Sequence, residues 1–200
     1  MAHAGALPWR VPGFAAMAAR VPPPGPRRLP PPAASSHGIR DRDPHTWRLL
    51  FEREMPAIYR YAYSRLADAT RAEDATAEVF EEAWQGAAGY EDRGLPPRAW
   101  LFGLARNVVN THRRRWFRQP PQVALEAFDG PAAEPATHDQ IDLARAIASL
   151  EPSHAEVINL RFIQDLSLQE TADALGVSVD AVKGRQARAL QALREKLGAA

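Results

Sequence analysis

The placement of proline limits what this chain can fold into more than any other feature. Its 18 prolines are unevenly spread: Pro22, Pro23, Pro24, Pro26, Pro30, Pro31 and Pro32 crowd one stretch, and Pro120, Pro121, Pro131 and Pro135 another. Each proline removes a backbone donor and fixes φ, so neither stretch sustains a helix or a sheet ladder. Residues 1–44 therefore read as a disordered, proline-rich arm, and residues 119–137 as an acidic interdomain linker. Between and after these breaks the apolar residues recur at helical spacing, with no convincing alternating strand pattern. The expected fold is all-α, with two small helical domains at residues 45–118 and 138–198 joined by a flexible linker.

Helix boundaries are marked by residue chemistry. Thr70-Arg71-Ala72-Glu73, Thr137-His138-Asp139-Gln140 and Ser167-Leu168-Gln169-Glu170 have the capping-box form, in which a hydroxyl and a carboxyl or amide satisfy helix-end donors reciprocally. Pro97 and Pro152 sit where a first helical residue would be, and Gly89, Gly176 and Gly198 are natural stops. These signals predict helices near 46–54, 56–67, 71–88, 97–117, 138–149, 152–163, 168–175 and 179–197.

Composition removes several classes of function. With no cysteine, the chain has no disulfide, no thiolate nucleophile and no cysteine-based zinc site. The His residues at 3, 37, 45, 112, 138 and 154 are scattered without a helical pair, so neither a metal nor a cofactor is expected. Apolar runs such as 13–19 are too short to span a bilayer, and no signal-peptide pattern opens the chain, which makes a cytoplasmic location the expectation. The net charge of +1 conceals an uneven distribution: +4 over residues 1–44, +2 over 45–118, −4 over 119–140 and −1 over 141–200.

In the first domain one helix separates its faces. Asp74, Glu78, Glu81 and Glu82 cluster on one side, and Thr76, Phe80, Ala83 and Trp84 gather on another. A carboxylate stripe without basic partners on its own helix is either a solvated face or a match for a basic protein surface. Acids exposed to water have no desolvation to tune them as acid–base catalysts, so no enzyme activity is expected.

The helix from Pro97 has the opposite polarity. Leu101, Leu104, Ala105, Val108 and His112 face inward, while Arg106, Asn107, Asn110, Arg113 and Arg114 face away, and Arg115-Trp116-Phe117-Arg118 extends its basic, aromatic end. Arginines meet phosphates, asparagines read base edges, and aromatic rings stack on unpaired bases. The preceding loop, Tyr90 to Pro96 with Arg93 at its centre, could cover an extruded base or be only a connector.

In the second domain a short helix, a turn at Gly176 and a longer helix form a helix-turn-helix pattern. Ala172, Leu175, Val177, Val182, Ala189 and Leu193 supply its packing positions, with Leu160 and Phe162 expected to close the core. The opposite side of the last helix carries Asp180, Ala181, Gly184, Ala187, Arg188 and Gln191, flanked by Lys183 and Arg185. Small residues there admit a major groove, and Lys183, Arg185 and Arg188 can reach phosphates or guanine edges.

Together these motifs resemble RNA polymerase sigma factors of the extracytoplasmic-function (ECF) class of the sigma-70 family. Arg71-Ala72-Glu73-Asp74 through Glu78-Val79-Phe80 and Ala83-Trp84 is similar to one family helix, and Trp100-Leu101-Phe102 with Ala105-Arg106-Asn107 to another. Leu150-Glu151-Pro152 through Leu160-Arg161, and Leu168 through Ala189, are similar to the family's C-terminal domain. Gly184 stands where the family usually has Ser, and Gln186 at a usually apolar position.

The resemblance implies a non-enzymatic subunit that binds core RNA polymerase and directs initiation at promoters with minus-ten and minus-thirty-five elements. By it, Asp74, Glu78, Phe80 and Glu81 would dock on the β′ clamp. Arg93, Arg106, Asn107, Asn110, Arg113, Arg114 and Arg115 would serve the minus-ten element and its melting, and Lys183, Arg185 and Arg188 the minus-thirty-five groove. The β flap and an anti-sigma factor are further implied partners. The rival reading is a stand-alone helix-turn-helix regulator.

Overall fold

The computed structural model describes residues 36–117, 146–147 and 149–198. The chain divides into two compact units, residues 1–128 and 129–200, and among the described residues every regular element is helical. The predicted linker 119–137, the Thr137 capping motif and most of the helix near 138–149 lie outside the described residues.

The first unit contains α1 (Ser36–Arg40), α2 (Pro44–Leu66), α3 (Ala69–Gly86), a 3₁₀ turn (Ala87–Gly89) and α4 (Pro97–Phe117). Its core interleaves α2, α3 and α4: Trp47, Leu50, Met55, Ile58 and Tyr61 meet Val79 and Phe80, and Leu101, Phe102 and Val109 complete it, all at most 1% exposed. Aromatic edges set the seams. Phe51 meets Phe80 at 4.8 Å and 63°, and Tyr61 meets Phe102 at 5.7 Å and 87°, the edge-to-face geometry that ring quadrupoles favour. Glu54 is buried between Arg53 Nε at 2.7 Å and Arg98 Nε at 3.8 Å, an ionic tie from α2 to α4.

Three expectations change here. The two helices expected at 46–54 and 56–67 are one, because α2 runs through Pro56. The roughly 3 kcal/mol cost of an internal proline is offset by burial on both sides of it, at Met55, Ala57 and Ile58. The start of α3 is not the predicted Thr70 capping box. Ala67 turns the chain at φ 52, and the Asp68 carboxylate two residues before Thr70 accepts from the Arg71 amide at 2.9 Å.

The third change concerns the arm expected to be disordered through residue 44. Its last residues fold: Ile39 is fully buried in α1, and its carbonyl accepts from Trp47 Nε1 at 3.1 Å. Arg40 Nε donates to the Tyr90 carbonyl at 2.7 Å. Arg42 donates to the Trp84 and Gln85 carbonyls at 2.9 and 3.0 Å. A buried apolar residue and donors aimed at backbone carbonyls outweigh the proline-rich context upstream.

The second unit contains α5 (Pro152–Ile158), a π turn (Asn159–Ile163), α6 (Leu168–Leu175) and α7 (Val179–Leu197). Glu151 caps α5 by accepting from the Ser153 and His154 amides, with Pro152 in the first turn. The Ser167 capping box forms in full, the Ser167 hydroxyl accepting from the Glu170 amide at 3.1 Å and Glu170 accepting from the Ser167 amide at 2.7 Å. Gly176 ends α6 at φ 65, where a Cβ would be strained, and Ser178 caps α7. Leu160, Leu166, Val182 and Ala189 are fully buried, whereas Phe162 is 53% exposed and does not close the core as expected. It lies in the π turn, where the wider winding redirects successive side chains.

Candidate functional site

The faces of α3 separate as its sequence pattern requires. Ala72, Ala75, Thr76, Val79, Phe80 and Ala83 are buried, and Asp74 and Glu82 are exposed, with Glu78 and Glu81 intermediate. Phe80 must therefore be removed from the expected polymerase contacts: it is 0% exposed, held edge-on by Phe51, and serves the core. The acids strain against one another. Partial burial and then the Glu78 charge raise the Glu82 carboxyl above its ordinary value, and partial burial and then Asp74 raise Glu73. A basic surface laid on this face would relieve that repulsion.

Glu78 has a second engagement that is not visible in the sequence. Its Oε2 lies 2.7 Å from His112 Nε2, with the side chains 36% and 17% exposed respectively. His112 is thus the inward-facing histidine expected on α4, and its partner is an acid of the α3 stripe. The bond ties the acidic helix to the helix that carries the basic face.

On α4, Leu101, Ala105 and Val108 are buried as expected, joined by Phe102 and Val109, while Leu104 is intermediate. Asn107, Arg114 and Arg115 are exposed, and Arg106, Asn110 and Arg113 are intermediate. These side chains line the outward face of α4 beyond its buried seam. The loop before α4 is open, with Glu91, Asp92, Arg93 and Gly94 exposed. It is nevertheless shaped: Asp92 Oδ1 accepts from the Gly94 amide at 2.9 Å, Gly94 turns at φ 68, and Arg93 pairs with Glu91 at 3.4 Å. Tyr90, 5% exposed, packs against Trp100 with ring centroids 5.0 Å apart and planes tilted by 54°, and anchors the loop's start.

In the second unit Lys183 and Arg188 are exposed on α7 and Arg185 is intermediate, Arg188 away from buried Val182, Ala189 and Leu193 and the other two on the flanks of that seam. Lys183 Nζ lies 3.2 Å from Asp180 Oδ1, an exposed pair that releases readily to a phosphate. Gln186 is satisfied across the fold: its Oε1 accepts from Arg161 Nε at 3.2 Å, and Arg161 also donates to the Leu166 carbonyl. The polar residue at an expected apolar position thus ties α7 to the π turn. Gly184 leaves room, since an added Cβ would meet only the far end of Arg188, at 3.3 Å.

Among the described residues no group of His, Asp and Glu is arranged to hold a metal ion, and no helix is long and apolar enough to cross a membrane.

Both units match known families. Residues 50–118 match the family model of sigma-70 region 2, and residues 146–195 that of sigma-70 region 4. The ECF RNA polymerase sigma factor SigL of Mycobacterium tuberculosis is 33% identical over 152 residues, 74% of this chain and 86% of that protein. The ECF RNA polymerase sigma factor RpoE of Cereibacter sphaeroides is 30% identical over 172 residues, covering 82% and 93%. Among solved structures, CnrH in complex with the cytosolic domain of CnrY is similar with a TM-score of 0.62 and 27% identity, covering 82% of this chain and 95% of that one. The sigma factor RpoE bound to the anti-sigma factor NepR from Bartonella quintana gives 0.61 and 25%, covering 76% and 96%.

Proposed function

Since the chain belongs to the extracytoplasmic-function family of RNA polymerase sigma factors, we propose that its work as a promoter-specificity subunit is divided among the faces described above. The acidic face of α3, with Asp74, Glu78 and Glu81, docks on the β′ clamp of core polymerase. The open loop around Arg93, with Arg106, Asn107 and Asn110 on α4, takes the minus-ten element, and Arg113, Arg114 and Arg115 hold its phosphates. Lys183, Arg185 and Arg188 on α7 dock in the minus-thirty-five groove, with the second unit against the β flap.

The observation that carries this reading is the opposition of charge within one rigid core. Carboxylates face outward from α3, arginines and asparagines from α4, and the shared core of Val79, Phe80, Leu101 and Phe102 holds one helix to the other, with the Glu78–His112 bond at its edge. A subunit that grips a protein with one face and DNA with another needs that fixed relation, because polymerase binding then sets where the DNA face lies. The chain itself performs no chemistry: the polymerase makes RNA, and this subunit selects the start and helps open the duplex. It works in the cytoplasm and is held in check by an anti-sigma factor that covers the polymerase-binding faces, a reading supported by the similar RpoE of Bartonella quintana, which is bound to the anti-sigma factor NepR.

Charge reversal tests the assignment. Asp74→Lys together with Glu81→Lys should weaken binding to core polymerase at least about tenfold, the scale of losing close charge pairs across an interface. Circular dichroism should show unchanged helicity, since both side chains lie on the outer side of α3. Undiminished core affinity would remove α3 from the clamp interface.

A further inference from the structure

The residues just before α2 do more than end an arm. Three side chains of residues 36–42 converge on the end of α3 and the loop that follows it. Arg42 donates to the carbonyls of Trp84 and Gln85 in the last turn of α3, and its guanidinium lies 5.9 Å from the centroid of the Trp84 ring. A cation at that position also complements the negative end of the helix dipole. Arg40 takes the carbonyl of Tyr90, where the open loop begins. Ser36 bonds the Asp92 carboxyl, which is held below its ordinary value first by the Gly94 amide and then by that hydroxyl.

The segment that supplies these groups is itself anchored. Ile39 is fully buried and its carbonyl is bound by Trp47. Arg42 sits at φ 53, a left-handed turn that brings its side chain back toward α3. The loop, by contrast, exposes residues 91–94 to solvent and has no apolar face of its own there. Asp92 and Gly94 shape its tip from within, and its start is held by α1.

We propose that residues 36–42 form a clasp that holds the loop at 90–96 in the conformation that reads the minus-ten element, with Arg40 and Arg42 as positioning residues. This rests on the proposed role of that loop in capturing the minus-ten element. Neither arginine touches DNA in this account. Each acts through backbone carbonyls, so what it controls is the geometry in which Arg93 and its neighbours meet an extruded base.

The experiment uses the full chain with bacterial core polymerase and compares open-complex formation on a promoter with that on the same promoter carrying single-base changes in its minus-ten element. For Arg40→Ala with Arg42→Ala, core affinity should stay at the wild-type level while discrimination between the two promoters falls about fivefold, the scale of one net intramolecular hydrogen bond. Arg40→Lys with Arg42→Lys, which retains a cationic donor at each place, should recover most of it. A loop variant, Asp92→Ala with Arg93→Ala, is measured alongside. Discrimination lost in the loop variant but intact in the double alanine variant overturns the clasp and leaves the loop's role standing. Discrimination unchanged in both overturns the loop's role and the clasp with it. Activity lost equally on every promoter, in step with a lower melting temperature, means that α1 only stabilises the fold, and the clasp is rejected. Should the double alanine variant fail to fold, Arg40→Gln alone, which keeps a neutral donor, carries the same comparison.

Discussion

Glu78 is tied into the fold as well as lying on the face proposed for the clamp. It lies on the acidic face of α3 yet reaches His112 on α4 at 2.7 Å. Reversing it to Lys would change both charge and fold, so Asp74 is the cleaner probe of the clamp. Removing the pair by His112→Ala should cost under about 1 kcal/mol, because both groups are partly solvated; urea denaturation reads it. Gly184 gives a prediction of opposite sign. A Cβ there displaces only the mobile end of Arg188, so Gly184→Ala should stabilise the second unit by up to about 1 kcal/mol through helix propensity. An unchanged or lower melting temperature would show that the glycine is needed for packing. Residue identity alone marked the arginines, asparagines and acids as surface groups. Nothing local could pair Glu78 with His112 across 34 positions, nor Gln186 with Arg161 across 25.

At the scale of elements, legibility followed the length and chemistry of each helix. The spans of α4, α6 and α7 were readable because proline, serine and glycine mark their ends and the apolar period is unbroken. α2 was misread at Pro56, where burial of its neighbours outweighs a local penalty. α1 was missed because five residues are too few to display a period, and its partners are backbone carbonyls, which leave no trace in sequence. The core side of α3 was legible, Phe80 included; the polymerase contact at Phe80 was implied by the resemblance and not by the helical period, and full burial excludes it. The stripe on α3 makes its own prediction. Glu82 is pushed up by burial and by Glu78, so ionising it costs the fold stability as pH rises through and above the ordinary carboxylate range, and protonation relieves that cost. Glu82→Gln should therefore raise the stability of the free protein at neutral pH by about 0.3 kcal/mol, the scale of a like-charge pair at this spacing. Calorimetry checks the sign, and a variant of unchanged or lower stability would show that Glu82 is not strained.

At the scale of the molecule, two units carry separate DNA-facing surfaces on one chain, so engagement of one raises the effective concentration of the other. The phosphate contacts should appear as salt dependence: Arg113→Ala with Arg114→Ala should reduce the slope of log affinity against log salt by about 2, near one unit for each phosphate no longer neutralised. A slope that does not change would remove those arginines from the phosphate contacts. The central claim, that this chain selects promoters for core polymerase, is tested most directly by run-off transcription from genomic promoter fragments with cognate core enzyme, with and without the purified protein. The account predicts discrete transcripts that require the protein and share two upstream elements. Tight, specific binding to such promoters without polymerase, and no effect on initiation with it, would contradict the account and favour a stand-alone helix-turn-helix regulator.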